Sequence, residues 1–376
     1  MEICLLGYDN LPVLAREYNQ FEIGGAQVQM TLLAKALVKR GHRVSMVVGD
    51  YGQEDGVVWQ GIKTYRTYKA NEGLPLFRFV YPRWTSTWAA LYRANADVYV
   101  TSCAGMQVGL LALFCNKHSK NFIYRMASDT DAEPTEVIIK HWRDKKLYEY
   151  GLNKAAHIVC QNKKQRELLK LNYDRNATLI KSLVEEPLND YVQSERDIEI
   201  LWVANIRNIK RPDLAIELAR RLPHRHFNMV GGPLSGCREL YLNIEKEAGS
   251  IENINFHGRI PYHDVGDLYD KARVFVNTSD KEGFPNTFLQ SWRRGIPVVT
   301  FFDPDGIITR EGLGYAVNSM DEMEKVVEKL INNDDEWLLI SNRCRAYVEL
   351  HHGDDVVIKP FLNVLQQVEN IGSTNE

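Results

Sequence analysis

A cluster of cations directly follows a predicted strand in the second half of the chain. The apolar run Ile198–Ala204 predicts a buried strand, and Arg207, Lys210 and Arg211 lie in the loop after it. In open parallel sheets, ligands bind outside the carboxyl ends of the strands. Arg207 offers a planar fork of donors and Lys210 a point charge, so this loop is suited to hold a diphosphate. A solvated surface loop is the alternative interpretation.

A second segment combines an acid, a glycine turn and a helix start. The strand predicted at Val274–Asn277 leads through Glu282 to a helix that begins at Asn286 and Thr287. Backbone N–H groups at a helix start have no intrahelical partner and can bind an anion. An acid beside such a site is favourable only if it binds neutral hydroxyls of the same ligand. Gln290 would lie one turn into the helix, on the same side.

Two adjacent glycines open the first long helix predicted in the chain. Gly24 and Gly25 precede apolar residues at helical spacing, so their N–H groups are candidates for a phosphate site. They do not form the G-x-G-x-x-G fingerprint, and dinucleotide binding is weakly supported. A plain strand-to-helix connection is the alternative.

Strands and helices alternate twice along the sequence, which predicts an α/β chain with two Rossmann-like, doubly wound domains. The first domain is predicted at residues 1–183 and the second at 190–354, with a linker at Ser182–Tyr191. The amphipathic segment Asp355–Glu369 is predicted to return to the first domain, which would then include residues 355–376. The other predicted strands are Ile3–Leu6, Arg43–Val48, Ala96–Thr101, Phe122–Met126, His157–Gln161, Thr178–Ile180, Phe227–Val230, Ile254–Phe256 and Pro297–Phe301.

These motifs together resemble retaining glycosyltransferases of the GT-B fold, and the nearest family is GT4, also called group 1, with its Glu-x7-Glu signature. The resemblance rests on Gly24-Gly25, Asn205–Arg211, Phe256–Arg259, Glu282–Gln290 and Gly295–Val299, and it covers nearly the whole chain. It implies two domains facing a crevice. It also implies transfer of a sugar, with retention, from a UDP-, GDP- or ADP-sugar to a saccharide or lipid-linked saccharide. Cell-surface polysaccharide, lipopolysaccharide or glycolipid biosynthesis is the expected setting.

The resemblance also implies a role for each matched residue. Arg207 and Lys210 would stabilise the departing diphosphate, and Glu282 would bind hydroxyls of the donor sugar. A donor phosphate oxygen would accept the acceptor proton, and no metal or other cofactor is expected. The implied donor-binding residues are Gly24, Gly25, Asn205, Gly258, Arg259, Gly283, Phe284, Asn286, Thr287 and Gln290.

The chain departs from the family pattern at three places. Gln290 replaces the second glutamate of the signature, and Asn205 stands where the family has an arginine. The histidines common after first-domain strands are missing, which leaves Ser102 and Asp129 as acceptor-side candidates and no assigned general base. A nucleotide-sugar 2-epimerase of the same architecture and a non-catalytic nucleotide-sugar-binding protein are the two rival hypotheses.

Metal-ligand patterns are weak. Asp129-Thr130-Asp131 and Asp303-Pro304-Asp305 each spell D-x-D, which can bind Mg²⁺ or Mn²⁺ with a nucleotide, but such tripeptides are common by chance. The six cysteines form no C-x-x-C pair and are predicted to be reduced and buried. His351-His352 is predicted to be an exposed helix end.

Charge is unevenly distributed over the 376 residues, whose net charge is −3. Residues 1–185 carry seven more cations than acids, whereas the remainder carries ten more acids than cations. The mildly acidic whole argues against nucleic-acid binding. The stretches Lys63–Arg93 and Glu136–Lys154 interleave cations with rings or apolar residues, which suits an anionic membrane surface. A core strand plus a solvated helix is the alternative.

The expected location is cytoplasmic, with the possibility of peripheral attachment to the inner face of the cell membrane. No apolar run approaches the length of a membrane span, and the first residues do not resemble a signal peptide.

Overall fold

The computed structural model describes residues 1–74, 77–135, 137, 139–185, 196–234 and 236–373. The chain divides into two compact units, Met1–Leu183 with Asp354–Glu376, and Val184–Gly353. Part of the predicted linker Ser182–Tyr191 lies outside the described residues, as do residues 75, 76, 136 and 138 of the two predicted surface stretches. Within the described residues, no helix is long and apolar enough to cross a membrane.

The first unit is built on an eight-stranded sheet in the order β3-β4-β2-β1-β5-β6-β7-β8, parallel except for the β3–β4 pair. Its strands are β1 (Glu2–Leu6), β2 (Arg43–Val48), β3 (Val58–Trp59), β4 (Ile62–Arg66), β5 (Val98–Ser102), β6 (Asn121–Arg125), β7 (His157–Cys160) and β8 (Thr178–Leu179). Its helices are α1 (Leu11–Leu14), α2 (Gly25–Lys39), α3 (Thr85–Ala94), α4 (Met106–Lys117), α5 (Trp142–Lys154), α6 (Lys163–Tyr173) and, from the end of the chain, Asp354–Ser373.

Helices cover both faces of this sheet, which explains the unbroken apolar runs of its strands. In β1, Ile3 and Leu5 face one hydrophobic core, whereas Cys4 and Leu6 face the other. Helix α2 and the C-terminal helix Asp354–Ser373 fill the first core, and helices α3 to α6 contribute to the second.

The C-terminal helix is anchored to the first unit by apolar and ionic contacts. Val357 and Phe361 are buried in the core that they share with α2. Arg40, at the end of α2, pairs with Asp355 at 2.6 Å. This confirms that the last helix packs on the first domain, as its amphipathic pattern predicts.

The second unit has a six-stranded parallel sheet in the order β11-β10-β9-β12-β13-β14. Its strands are β9 (Ile198–Val203), β10 (Phe227–Val230), β11 (Ile254–Gly258), β12 (Ala272–Asn277), β13 (Val298–Thr300) and β14 (Gly314–Ala316). Its helices are α7 (Pro212–Arg221), α8 (Arg238–Ala248), α9 (Gly266–Lys271), α10 (Asn286–Arg293), α11 (Ile307–Glu311), α12 (Met320–Asn332) and α13 (Asp334–His352); the C-terminal helix Asp354–Ser373 is α14. The predicted fold class, two Rossmann-like α/β domains, is confirmed.

Each sheet has one switch point, a pair of adjacent strands from which the following connections lead to opposite edges of the sheet. In the first unit it lies between β1 and β5, and in the second between β9 and β12. Ligands of open α/β sheets bind at the carboxyl ends of strands beside such points. The topology therefore selects two places to search for functional groups.

Two sequence interpretations need correction. His352 is 1% exposed rather than an exposed helix end, because Phe284 and Tyr347 cover its ring. All six cysteines are free thiols, but Cys103 and Cys237 are only partly buried.

Helices α4 and α5 pack closely through two glycines. A Cβ on Gly151 would lie 2.5 Å from the backbone of Val108, and one on Gly109 would lie 2.2 Å from the carbonyl oxygen of Leu147. Because backbone cannot yield as a flexible side chain does, only glycine fits at either position.

We expect Gly151→Ala to lower the free energy of unfolding by about 1–3 kcal/mol, because the two helices must separate. Gly249→Ala is the matched control, since a Cβ there meets its nearest neighbour at 3.2 Å in an ordinary helical conformation. Urea unfolding of both variants measures the difference. Equal stability would contradict the close helix contact.

Candidate functional site

The candidate site of the second unit lies at its switch point. The loop after β9 carries Arg207 and Lys210, and the loop after β12 carries Ser279 and Glu282. Because β9 and β12 are adjacent parallel strands, both loops emerge at the same edge of the sheet. Residues 72 positions apart in sequence are thereby brought together.

Lys210 and Glu282 form a largely buried ion pair, in which the Lys210 Nζ donates to Glu282 Oε1. Their side chains are only 13% and 11% exposed. Ser279 Oγ donates to the same carboxylate oxygen at 2.8 Å. Burial lowers the pKa of Lys210, an effect that Arg207 increases and Glu282 partly offsets. The two groups predicted to contact a diphosphate and a sugar thus contact each other.

The hydroxyl of Thr278 ties the two loops together. It accepts a hydrogen bond from Trp202 Nε1 at 3.0 Å and lies 2.9 Å from the carbonyl oxygen of Lys210, to which it can donate. The backbone N–H of Asp280 also donates to the carbonyl of Ile209 at 2.9 Å. Sequence reasoning missed Thr278 and Trp202, although polar atoms at the ends of two buried strands are a usable signal.

Arg207 has a buried Nε without a hydrogen-bond partner, and its side chain is half-buried beside Lys210. Unpaired buried donors are costly, so an acceptor at this position would be favourable. Arg211, by contrast, pairs with Asp213 at 2.7 Å and with Asp280 at 3.4 Å. Arg211, like Lys210, therefore already has a carboxylate partner.

Helix α10 begins at this site. Pro285 is its N-cap residue and no side chain caps it, so the first turn at Asn286 and Thr287 directs the positive end of the helix dipole outwards. Gln290 follows one turn later and is half-buried. The sequence prediction of a helix start at Asn286 matches the structure.

Phe284 points into the protein. Its ring stacks on His352 with a centroid distance of 5.4 Å and contacts Trp292 edge-on at 6.3 Å. The ring of this predicted donor-binding residue is thus used for packing, so a contact with a donor would come from the main chain of Gly283 and Phe284. The stack fixes the turn that carries Glu282.

Two of the predicted donor-binding residues, Gly258 and Arg259, lie further along the same sheet edge. Gly258 ends β11 with a φ of +63°, and Arg259 Nη2 donates to the carbonyl of Pro233 at 2.6 Å. A Cβ on Gly232 would lie 2.7 Å from Arg259 Nε. The N–H of Ile206, next to Asn205, donates to the Gly232 carbonyl at 2.9 Å, which links this region to the Lys210 loop.

The first unit has a cleft at its own switch point. Tyr8 and Asp9 follow β1, Ser102 ends β5 and Cys103 follows it, and Gln27 comes from the first turn of α2. Gly24 is the N-cap residue of α2 and Gly25 its first residue, without a side-chain cap. The Ser102 hydroxyl donates to the Arg125 carbonyl at 2.8 Å.

Asp9 is the acid that sequence reasoning overlooked in this cleft. Tyr51 donates a hydrogen bond to its carboxylate at 3.3 Å. Although the side chain is exposed, surrounding protein atoms desolvate the carboxylate and raise its pKa. The signal was available, because Asp9 comes three residues after the first predicted strand.

Asp129 and Asp131 are each engaged by other residues of the first unit. Asp129 accepts from Asn162 at 3.0 Å and pairs with Lys164 at 3.2 Å. Asp131 is buried and accepts from Tyr124 and from the Ala127 backbone. Neither residue lines the cleft described above, in contrast to Ser102.

The second D-x-D sequence is also structural. Asp303 accepts hydrogen bonds from the backbone of Ile308 and Thr309 in the first turns of α11. In the described part of the chain, no group of three or more histidine, cysteine or acidic residues is arranged to hold a metal ion.

Comparison with known proteins gives matches for both units. Two bacterial relatives match part of the chain. An uncharacterized glycosyltransferase of Haemophilus influenzae is 27% identical over 44% of this chain and 48% of the relative. The O-antigen biosynthesis glycosyltransferase WbnH of Escherichia coli is 26% identical over 40% of this chain and 45% of the relative. The chain spans about half the length of these curated relatives.

A solved structure matches nearly the whole chain. HepE of Anabaena, crystallised with UDP and glucose, superposes with a TM-score of 0.74 at 13% identity, over 97% of this chain and 99% of HepE. At this identity the likeness shows the fold.

Two family models account for most of the sequence. Residues 24–179 match the glycosyl transferase 4-like domain, and residues 197–333 match the glycosyl transferases group 1 domain. The first match contains Gln27, Ser102 and Cys103 of the first-unit cleft but not Tyr8 or Asp9. The second match contains the Lys210–Glu282 pair. With one such domain in each unit, on a GT-B fold, this chain belongs to the glycosyltransferases of the group 1 and 4-like families.

Proposed function

We propose that this protein is a retaining glycosyltransferase that transfers a sugar from a nucleoside-diphosphate sugar to a saccharide acceptor. The observation that carries the proposal is the buried Lys210–Glu282 pair beside Arg207 at the switch point of the second unit. A sugar diphosphate presents both anionic oxygens and neutral hydroxyls, and this pair offers a cation for the former and an acceptor for the latter.

Lys210 and Arg207 would stabilise the diphosphate as it departs. Charge on the leaving oxygen grows in the transition state, so fixed cations beside it accelerate the reaction. The uncapped start of α10 at Asn286 adds the positive end of its dipole. Glu282 would accept hydrogen bonds from the sugar, and the Phe284–His352 stack would hold it in place.

The donor would be a UDP-, GDP- or ADP-sugar, with UDP as the first to test because HepE was crystallised with UDP. Gly258 and Arg259 would lie against the nucleobase, at the end of β11. Gln290 would bind the ribose through its amide oxygen, because an amide retains an acceptor where the family signature has a carboxylate.

The acceptor would bind at the first-unit cleft. Asp9 offers a carboxylate with a raised pKa, and Tyr8 and Tyr51 place aromatic and hydroxyl groups beside it. A carboxylate of this kind can accept a hydrogen bond from an acceptor hydroxyl. The O-antigen relative supports a saccharide in surface-polysaccharide or glycolipid synthesis as the acceptor class.

Turnover should not require a divalent metal, since Lys210 and Arg207 supply the positive charge and the D-x-D carboxylates are engaged elsewhere. Purified protein should be assayed with UDP-, GDP- and ADP-sugars and saccharide acceptors, with and without EDTA. We expect a product with the donor's anomeric configuration and equal rates in both conditions.

Loss of activity in EDTA with recovery in Mn²⁺ would contradict metal independence. Conversion of the donor to an epimer without any acceptor would favour the 2-epimerase instead. Tight donor binding with no turnover on any acceptor would favour a non-catalytic binding protein.

Lys210→Ala should lower kcat by about 10²–10³-fold, because one electrostatic contact in the transition state is lost. Glu282→Gln should also lower turnover, yet it should bind the free nucleoside diphosphate about three- to tenfold more tightly, because Lys210 is released from its partner. Steady-state kinetics and calorimetric titration measure the two effects.

Lys281→Ala is the matched control, since this exposed lysine is adjacent in sequence and lies outside the pair. Weaker binding of the free nucleotide to Glu282→Gln would contradict competition between the carboxylate and the diphosphate. Wild-type turnover in Lys210→Ala would place the diphosphate elsewhere.

We also propose that the first unit attaches to an anionic membrane surface. Phe77, Tyr81 and Trp142 are exposed by 66%, 65% and 80%. The guanidinium of Arg143 lies 3.5 Å from the ring centroid of Phe79, so the helix start that carries Trp142 adjoins the segment that carries Phe77 and Tyr81. Exposed rings beside cations suit the headgroup region of a bilayer.

The triple variant Phe77→Ser, Tyr81→Ser, Trp142→Ser should lose co-sedimentation with anionic vesicles at low salt. The wild type should sediment with them and dissociate at high salt, because headgroup attraction is screened. Leu171→Ser is the control, since Leu171 is equally exposed but lies on α6. Equal sedimentation of the triple variant and the wild type, or none by either, would contradict this surface.

A further inference from the structure

A buried arginine in the first unit lies outside the proposed reaction. Arg125 ends β6 and is 4% exposed. It lines a small cavity together with Gln29 from α2, Lys181 and Leu183 from the segment after β8, and Phe361 from α14. These residues all belong to the first unit.

The guanidinium of Arg125 is poorly compensated. Its Nη1 is buried without a hydrogen-bond partner, and its Nη2 reaches only the amide oxygen of Gln29, at 3.4 Å. Burial lowers the pKa of Arg125 to about 10, so the group stays charged at neutral pH. Among the described residues, no carboxylate forms an ion pair with it, and a buried charge without a counter-charge costs several kcal/mol.

The neighbours of Arg125 cannot supply the missing charge. Gln29 Nε2 donates to the carbonyl of Leu183, and Gln29 Oε1 accepts from the Leu183 N–H, each at 2.8 Å. These two hydrogen bonds fix the orientation of the Gln29 amide. Its oxygen is then shared between the Leu183 N–H and Arg125 Nη2. Lys181 brings a second positive charge to the cavity wall.

We propose that this cavity binds a small inorganic anion, of the size of chloride, against Arg125 Nη1. The space holds about one water-sized particle, which excludes phosphate and larger anions. The anion neutralises the guanidinium and satisfies its buried N–H. Gln29 also binds Leu183, which is the residue where the segment Met1–Leu183 of the first unit ends. The bound anion therefore stabilises the segment through which the chain leaves this unit.

Thermal unfolding in potassium chloride and potassium gluconate at equal ionic strength tests the site, because gluconate is too large to enter. At tenfold excess over the midpoint concentration, the melting temperature in chloride should be about 2–4 °C higher. Arg125→Gln should abolish this difference. Arg93→Gln should preserve it, because Arg93 is an accessible arginine that pairs with Asp55 at 3.1 Å.

Crystals of the wild type grown in bromide provide a readout that does not depend on the stability of a variant. An anomalous peak in contact with Arg125 Nη1 supports the proposal. Equal melting temperatures in the two salts, no bromide peak at Arg125, or a phosphate ion in its place would overturn it.

Discussion

The second unit is organised around the attraction between one lysine and one glutamate that leave adjacent strands. Lys210 and Glu282 are both shielded from water, and each limits the cost of burying the other. Thr278, Ser279 and the stacked Phe284 hold the two loops at the distance this requires. A ligand that separates the pair must replace both partners. The site therefore favours a molecule with anionic oxygens and hydroxyl groups in close succession.

The two units use the same sheet geometry for different chemistry. Each places its polar groups at a switch point, β1 beside β5 in the first and β9 beside β12 in the second. The first cleft contains the Asp9 carboxylate, to which the Tyr51 hydroxyl donates a hydrogen bond, whereas the second site contains two cations and a helix start. This division is opposite to the unequal charge of the two sequence halves, because the cleft in the basic half contains a carboxylate and the site in the acidic half contains cations.

The sequence predicts the fold well because buried parallel strands are continuous apolar runs. The strand predicted at Phe227–Val230 has the same bounds as β10, and α10 begins at Asn286 as predicted. Short or polar strands such as β4 and β14 carry no such signal and were missed. The position of Arg207, Lys210 and Glu282 directly after predicted strands also identifies the loops that carry them. The direction of a side chain, however, depends on packing, which the sequence does not show.

Side-chain direction is where sequence reasoning failed. Phe284 has the residue type and position of a ligand contact, yet the apolar surface of α10 and α13 attracts its ring inwards. His352 is polar and near the end of a helix, yet that same ring buries it. Asp129 is tied to α6 by hydrogen bonds from residues over 30 positions away, which no local pattern reveals.

The hydrogen bond from Trp202 to Thr278 makes Trp202 an intrinsic fluorescence probe of the second unit. The indole is 1% exposed and bonds the same hydroxyl that approaches the Lys210 carbonyl. Any displacement of that loop changes the polarity around one indole N–H, and indole emission is sensitive to such a change. Among the seven tryptophans of the chain, Trp202 is thus placed to signal loop movement through its intrinsic fluorescence, without an attached label.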